Sequence, residues 1–438
     1  MSKELLLEHI KNKNNVLLLS AGGCGKSYLI REVAKELANA GKRVACTATT
    51  GIAAINLSVP EAKISGRTLH SWAGVGLAQV HPEKLLHFVR GDSRSKKRWL
   101  TVDVLFIDEV SMFGVEFFDK LDYIARGLRQ HNKPFGGIQL VLSGDFLQLP
   151  PVNQQWVFKS KNWAQLEMTT VVLREPKRYT NLVWFEMLLR VRKGEQTKDD
   201  IKFLKSKILH EPLKVSESNA VKPTVLYSKK IDVERINNEE LEALTTKAKS
   251  FVAVDTFTAY NMYAKREHYM TPLEDTIPTC ITLKEGAQVM LKANLDTDNG
   301  LANGSRGVIV KIHDEGVEVK WVSGLITQVL PHTWLQSDRD GEGSRTQIPL
   351  ILAYALTTHK SQGSTLDSVI CNLGPSIFCP GQAYVALSRV RDPKGLYISE
   401  FYDESIYADK DALRYVEAVE EMDERENCIV KYELVFNE

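Results

Sequence analysis

Ser20 to Ser27 reads S-A-G-G-C-G-K-S and lies directly behind the apolar run Val16-Leu17-Leu18-Leu19. A buried strand that feeds a glycine-rich turn, a Lys-Ser pair and a helix-patterned stretch (Tyr28 to Ala40) is what phosphate binding requires. Gly22, Gly23 and Gly25 let the backbone around Cys24 curl, so that successive N–H groups point at one phosphate. The helix that begins near Gly25 aims its positive end at the same place. Lys26 can reach the β- and γ-phosphates, and the Ser27 hydroxyl can bind Mg²⁺. Ser20 stands where the usual string begins with glycine, and an ordinary tight strand-to-helix turn has the same outline. A second segment favours the nucleotide. Val104-Leu105-Phe106-Ile107 is fully apolar and ends in Asp108-Glu109. Asp108 can hold a Mg²⁺ shell, and Glu109 can polarise the water that attacks a γ-phosphate. Without the upstream loop, the pair is a solvated start to a loop.

Three more side chains suit a triphosphate. Gln148 lies in Gly144-Asp145-Phe146-Leu147-Gln148-Leu149-Pro150-Pro151, and its amide can sense a γ-phosphate because it both donates and accepts. Arg178 and Arg389 come from later in the chain. Arginines of a second lobe can close onto a triphosphate held by the first and stabilise its transition state. Arg178 also sits with Arg174 and Lys177 in a cluster that suits a plain surface.

Two loops have the chemistry of a strand-tracking groove. Thr47-Ala48-Thr49-Thr50-Gly51 is a strand end rich in hydroxyls, followed by Thr68-Leu69-His70-Ser71-Trp72. Hydroxyls and backbone N–H groups contact phosphates, and an aromatic ring offers a stacking face to an unpaired base. Thr357 to Thr365, with His359, Lys360 and Gly363, repeats that chemistry after a later strand. Each loop alone is also an ordinary polar connection.

The elements that must position these groups alternate. From residue 1 to 170, strand candidates Val16–Leu19, Val44–Thr49, Val104–Ile107 and Ile138–Leu142 are separated by helical stretches. This pattern predicts a parallel sheet covered on both faces. Residues from about 75 to 100 break it and read as a small insertion, helical from Pro82 to Arg90 and then basic (Arg94, Lys96, Lys97, Arg98). A second α/β unit is split between 171–250 and 346–438, with strands at Thr224–Tyr227, Leu352–Leu356, Val369–Asn372 and Leu396–Ser399. Residues 251–345 change to period-two alternation, with short strands at Val308–Val310, Val317–Trp321 and Ile326–Val329. They read as a small antiparallel barrel inserted into that unit. Gln336 to Thr346, polar and glycine-bearing, is expected to return the chain from it.

Composition narrows the classes. The chain has 438 residues, enough for two to four compact units, and 43% of them are apolar. A net charge of +1 excludes a global basic footprint, so any nucleic-acid surface must be a local groove. The six cysteines form no C-x-x-C pair and the ten histidines do not cluster near them. Zinc and a disulfide framework are therefore not expected, and a reducing compartment, cytoplasmic or nuclear, fits. No apolar run nears the ~18 residues of a membrane span, and the N-terminus lacks signal-peptide anatomy.

In order along the chain, S-A-G-G-C-G-K-S, T-A-T-T-G-I-A-A, T-L-H-S-W-A-G, F-I-D-E-V-S-M, G-D-F-L-Q-L-P-P-V, L-K-E-G-A-Q-V-M-L, N-G-S-R-G-V, T-H-K-S-Q-G-S-T-L and Y-V-A-L-S-R-V resemble the petite-integration-frequency DNA helicases, RecD-like members of superfamily one. The resemblance runs from about Val16 to Phe401. It implies two RecA-like P-loop lobes, a wedge insertion in the first and an SH3-like β-barrel in the second. It implies ATP and Mg²⁺ as cofactors and 5′-to-3′ translocation on single-stranded DNA, with unwinding of forked or 5′-tailed duplex in replication, repair or recombination. By motif position, Gly22 to Ser27 and Gly363 look like the ATP contacts, and Ser27 and Asp108 the Mg²⁺ ligands. Lys26, Glu109, Gln148, Arg178 and Arg389 look catalytic, the two arginines as fingers. Thr49, Thr50, Gly51, His70, Trp72, His359 and Lys360 fall where the family grips the strand.

Two positions depart from the family pattern. Arg178-Tyr179 stands where Arg-Gln is usual, and no Gln precedes the phosphate loop to read adenine, the first being Gln79. Asn12, Asn14, Asn15 or backbone groups could replace that reader. Without long extensions, the chain is expected to be a minimal, monomeric motor. Its rivals are a translocase that leaves duplex intact, a P-loop phosphotransferase acting on a small molecule, and a non-catalytic DNA-binding accessory protein.

Overall fold

The computed structural model describes residues 2–76, 78–211, 221–262, 264–293, 295–296, 301, 303–337 and 341–424. They fall into two compact units, one from Met1–Arg178, Asn261–His268 and Ala408–Glu438, the other from Tyr179–Tyr260 and Tyr269–Tyr407.

The first unit is built on six strands: β1 (Val16–Ser20), β2 (Val44–Ala48), β3 (Arg67–Thr68), β4 (Val104–Asp108), β5 (Gln139–Gly144) and β6 (Thr169–Leu173). All pair in parallel, in the order β3-β2-β4-β5-β1-β6. Helices cover both faces of such a sheet, so β1 and β4 can be buried at every residue, which is why their sequences are unbroken apolar runs. Parallel pairing also sends the loops after β1, β2, β4 and β5 out at one edge, where α/β sheets bind ligands.

The insertion at 75–100 forms two helices, Pro82–Gly91 and Ser93–Thr101. It shares the first unit's core: Leu85, Leu86, Val89 and Trp99 join the cluster that contains Phe118 and Leu121 of helix Val115–Arg129. Its basic run is partly used inside the fold, since Arg94 is buried and Arg98 donates to Trp72 O at 2.7 Å and Ser71 O at 3.2 Å.

The chain's last described helix, Lys410–Glu424, packs on the first unit, whereas the sequence assigned 346–438 to the second. Burial and long-range polar contacts decide it. Tyr415 is fully buried, stacks on Phe158 at 4.3 Å and accepts from Trp163 Nε1 at 2.9 Å. Asp423 accepts from Val172 N at 3.1 Å and Arg174 at 2.6 Å. The same contacts keep β6 in the first sheet beside β1, beyond the expected boundary at 170.

Among the described residues, the second unit carries fourteen strands: β7 (Thr224–Tyr227), β8 (Lys249–Val252), β9 (Val254–Ala259), β10 (Cys280–Leu283), β11 (Gln288–Leu291), β12 (Arg306–Ile312), β13 (Val317–Trp321), β14 (Ile326–Val329), β15 (His332–Ser337), β16 (Gly341–Gln347), β17 (Leu350–Leu352), β18 (Ala355–Thr357), β19 (Val369–Leu373) and β20 (Leu396–Phe401). Its parallel sheet has the order β18-β7-β19-β20. The antiparallel insert is a five-stranded sheet, β14-β13-β12-β11-β17, over its own core of Val289, Ile309, Val319, Trp321 and Val329. The expected strand Leu352–Leu356 divides at Ala353 and Tyr354, so β17 joins the insert and β18 the parallel sheet.

In the expected return segment, Gln336 and Ser337 and residues 341–346 are instead paired, and residues 338–340 lie outside the described residues: β15, β16 and β9 form a three-stranded sheet. Polar cross-strand contacts hold it. Arg345 forks onto both oxygens of Asp255 at 2.7 Å, and Thr256 bonds Ser344 at 2.7 Å.

Candidate functional site

The turn after β1 is left-handed at Gly23 and Gly25, both at φ 89°, a region glycine enters without steric cost. Gly25 caps helix Lys26–Asn39. The Lys26 ammonium is held by the loop itself, donating to Ser20 O and Ser20 Oγ at 2.9 Å and to Ala21 O at 3.3 Å. The serine in place of the first glycine is thus a second oxygen for the lysine. Cys24 is buried, and the other described cysteines are also free thiols; burial pushes Cys46 and Cys371 up to about 12.

Two strands away, β4 delivers the carboxylates. Asp108 is 1% exposed, and its Oδ2 accepts from Ser27 Oγ at 3.0 Å. Its Oδ1 accepts from the Glu109 N–H at 2.9 Å. Glu109 adopts φ 58° and ψ 47°, a left-handed conformation that costs a non-glycine residue about 1–2 kcal/mol. Strain at a strand tip, beside a paired hydroxyl and carboxylate, is characteristic of a functional site. The juxtaposed oxygens of Ser27 and Asp108 fit Mg²⁺, a hard cation that nucleotide sites hold with one or two protein oxygens plus phosphates. Among the described residues, no three His, Cys, Asp or Glu converge on a protein-only metal site.

The loop after β5 is locked from below. Phe146 is fully buried, edge-on to Phe158, Trp163 and Tyr415 with ring centres 5.2, 6.1 and 5.4 Å away. Above it, Asp145 accepts from Leu147 N at 3.2 Å and from Gln148 Nε2 at 3.4 Å. Asp145 therefore orients Gln148, a role that sequence analysis missed although the motif contains it.

Arg178 lies in the first unit, not the second, and its N–H and that of Lys177 both donate to Gly23 O, at 3.0 and 2.9 Å. This strap over the phosphate loop had no sequence signal beyond a basic cluster. Tyr179, where Gln is usual, is buried in the second unit, where its hydroxyl donates to Ser388 O at 2.8 Å. Arg389 is 1% exposed. It donates to Val385 O at 2.7 Å, Ser361 O at 3.1 Å, Ser364 O at 3.4 Å and Ser388 Oγ at 2.7 Å. As a finger it would have to leave these oxygens; here it pins the Ser361–Ser364 turn to helix Gln382–Leu387. Gly363, in that turn, is exposed at φ 79°.

These parts were compared with known proteins. The family of PIF1-like helicases matches residues 4–202, and the DNA helicase Pif1 2B domain matches residues 275–312. The ATP-dependent DNA helicase PIF1 of Xenopus laevis is 35% identical over 422 residues, 94% of this chain and 63% of that protein. The crystal structure of Pif1 helicase from Candida albicans superposes with a TM-score of 0.74 at 32% identity, covering 95% of this chain and 98% of that one. The chain belongs to the Pif1 helicase family. Bacteroides Pif1 in complex with ADP-AlF4 gives a TM-score of 0.79 at 26% identity over 96% and 97% of the two chains. Bacteroides Pif1 with ADP-AlF3 and ssDNA gives 0.63 at 25% over 96% of each. The chain spans 63% of the length of the Xenopus laevis and Danio rerio relatives. Two α/β lobes with helical and sheet insertions are the RecA-like fold of the Pif1 structures.

The residues expected to grip a strand divide. Thr49 Oγ1 donates to Glu109 O at 3.0 Å, and Thr50 Oγ1 caps helix Gly51–Asn56 by accepting from Ala53 N at 3.3 Å. Trp72, expected to stack on a base, is a core residue instead. It is 4% exposed and tilted against Trp99 with centroids 4.7 Å apart, which leaves no open face. The helix Leu69–Ala73 must turn Trp72 inward because its C-cap, Gly74, touches the insertion: a Cβ there would lie 2.0 Å from Ser95 Oγ. His70 is half-buried and stacked on Phe117 at 4.0 Å, and burial lowers its pKa below the usual imidazole value. It borders a cavity of about 300 Å³ with Met112, Phe117, Val152 and Gln154. His359 and Lys360 lie on the helical turn Thr358–Ser361, and their side chains fall outside the described residues.

The family's missing adenine reader is not replaced by Asn15. Its Nδ2 donates to Leu166 O at 2.8 Å and its Oδ1 accepts from Leu140 N at 2.8 Å. The Asn14 carbonyl accepts from Gln139 Nε2 at 2.7 Å.

Proposed function

We propose that the chain is an ATP-dependent DNA helicase that moves 5′-to-3′ on single-stranded DNA and separates forked or 5′-tailed duplex, in replication, repair or recombination. The observation that carries this is the convergence of Lys26, Ser27 and Asp108 with Glu109 and Gln148 at the carboxyl edge of one parallel sheet. Relatives named as ATP-dependent DNA helicases, and a family structure holding ADP-AlF3 and ssDNA, support it.

Each residue has work to do. The loop N–H groups and the helix Lys26–Asn39 receive the phosphates, and the Lys26 ammonium neutralises them. Ser27 and Asp108 would hold Mg²⁺, which when bound neutralises charge on the phosphate oxygens. Glu109 orients the attacking water and takes its proton. Gln148, aimed by Asp145, bonds to the γ-phosphate or the water. The β2 and His70 loops face the strand, and the helical turn Thr358–Ser361 supplies a second contact. The motor works as a single chain. Among the described residues, no helix is long and apolar enough to cross a membrane.

ATP turnover with and without single-stranded DNA tests this. Turnover should rise about tenfold or more (~1.4 kcal/mol in barrier). Equal rates would contradict it and favour a phosphotransferase acting on a small molecule.

A further inference from the structure

The loop after β2 was expected to touch DNA, yet its first hydroxyl is directed at the nucleotide site. Register pairs Ala48 with Asp108, so Thr49 lies beside Glu109. Thr49 N donates to Asp108 O at 3.3 Å, and Thr49 Oγ1 donates to Glu109 O at 3.0 Å. Glu109 is a left-handed residue of the site that is not glycine, at φ 58°. Its N–H is held by Asp108 Oδ1 at 2.9 Å. Its carbonyl takes Met112 N at 3.2 Å from its own turn and the Thr49 hydroxyl from another strand. A strained backbone persists only where its surroundings over-determine it. Of these bonds to the Glu109 peptide, the Thr49 hydroxyl is the one that comes from the strand-facing loop.

We infer that Thr49 is a positioning residue for Glu109, and that its hydroxyl couples the strand-gripping loop to the hydrolytic carboxylate. The inference rests on the proposed role of Glu109 as the base. Thr50, the next residue, caps helix Gly51–Asn56, so the loop and the helix behind it move as a piece with Thr49. A strand that presses on this loop changes the bond at Glu109 O. The carboxylate, one residue's length away, is thereby set for the water or turned from it. Coupling of this kind is reciprocal for binding: nucleotide that orders Glu109 also orders the loop.

The test replaces one atom group. Thr49→Val keeps the shape and loses the donor; Thr49→Ser keeps the donor. At saturating single strand, Thr49→Val should lose about tenfold in kcat, the scale of one hydrogen bond in a transition state, with KM for ATP within about twofold. Single-strand affinity, read by fluorescence anisotropy, should change by less than about threefold. Thr49→Ser should recover most of kcat. The inference is overturned if Thr49→Val turns over like the parent, if Thr49→Ser is as slow as Thr49→Val, or if the valine variant loses strand affinity at normal saturated kcat. That last result would make Thr49 a direct DNA contact. Glu109→Gln, assayed in parallel, separates the two ideas. Normal turnover in that variant removes the base itself and the inference with it; a collapse there, with an unaffected Thr49→Val, overturns the inference alone.

Discussion

Glu109 combines a chemical role with an unfavourable backbone, and the two are separable by substitution. Glu109→Gln keeps the shape and removes the base, so ATP should still bind while turnover falls about 100-fold or more. Titration with a fluorescent nucleotide beside a turnover assay checks both. Glu109→Gly removes the base and the left-handed penalty together, at φ 58°. Its turnover should be lost while its unfolding midpoint rises by about 2–4 °C, the equivalent of about 1 kcal/mol in a unit of this size. A lower midpoint would mean that the Glu109 side chain stabilises the fold by more than its backbone strains it. At this scale the glycine turn and the Ser27–Asp108 pair were legible, because contiguous strings behind apolar strands carry them. Arg389 and Trp72 were not. Their sequence context suggested ligands, but backbone carbonyls take the guanidinium and Trp99 takes the ring.

Whole elements decide what the two loops proposed to face the strand can do. The helix Leu69–Ala73 is fastened by Trp72, so Trp72→Ala should cost about 3–5 kcal/mol of stability as a core truncation. Chemical denaturation checks this. A stability unchanged within about 0.5 kcal/mol, with strand affinity lost, would restore the stacking role. Burial lowers the pKa of His70, on the same helix, below the ordinary imidazole value. The unfolded chain then binds the proton more readily than the fold, so stability is complete above the ordinary value of 6.5 and declines as pH falls below it. Denaturation midpoints between about pH 7.5 and pH 5.5 should show this slope, and His70→Gln should reduce it. An identical slope in the variant would assign it to other groups. In the second unit, Asp200 accepts two bonds at 2.7 Å from Arg190 and one at 2.9 Å from Thr197 N, and its own N–H donates to Thr197 Oγ1 at 3.1 Å. The arginine and these bonds pull its pKa from 3.8 down to about 2. Its contribution is therefore present above pH 3.8 and lost as pH falls through about 2. Buried parallel strands such as β1 and β4 were legible as apolar runs. The sheet of β9, β15 and β16 was not, because Arg345–Asp255 and hydroxyl pairs replace an apolar face.

At the scale of the whole molecule, the proposed motor has no Gln before the phosphate loop, where the family reads adenine, the first being Gln79. The family resemblance could be followed through most of the chain. The placement of helix Lys410–Glu424 could not, because its partners, Trp163 and Arg174, are about 250 residues away in sequence. The contacts proposed for the nucleotide all address phosphate or metal, and Asn15 is already bonded at both ends of its amide. Base discrimination should therefore be weak, well below the ~10⁴-fold that a site hydrogen-bonding a polar edge achieves. A panel of nucleotides at saturating single strand should show GTP and CTP turned over measurably and dATP used well. An ATP preference over GTP of about 10³-fold in kcat/KM would point to Asn12 or Asn14 as the reader. The central claim, a motor that follows one strand in one direction, is tested most directly by strand separation on two duplexes that differ only in which end carries the single-stranded tail. With ATP and Mg²⁺, the 5′-tailed duplex should be unwound and the 3′-tailed one left intact, and Glu109→Gln should unwind neither. Unwinding of the 3′-tailed duplex alone, or of neither by the parent chain while ATP is consumed, would contradict it.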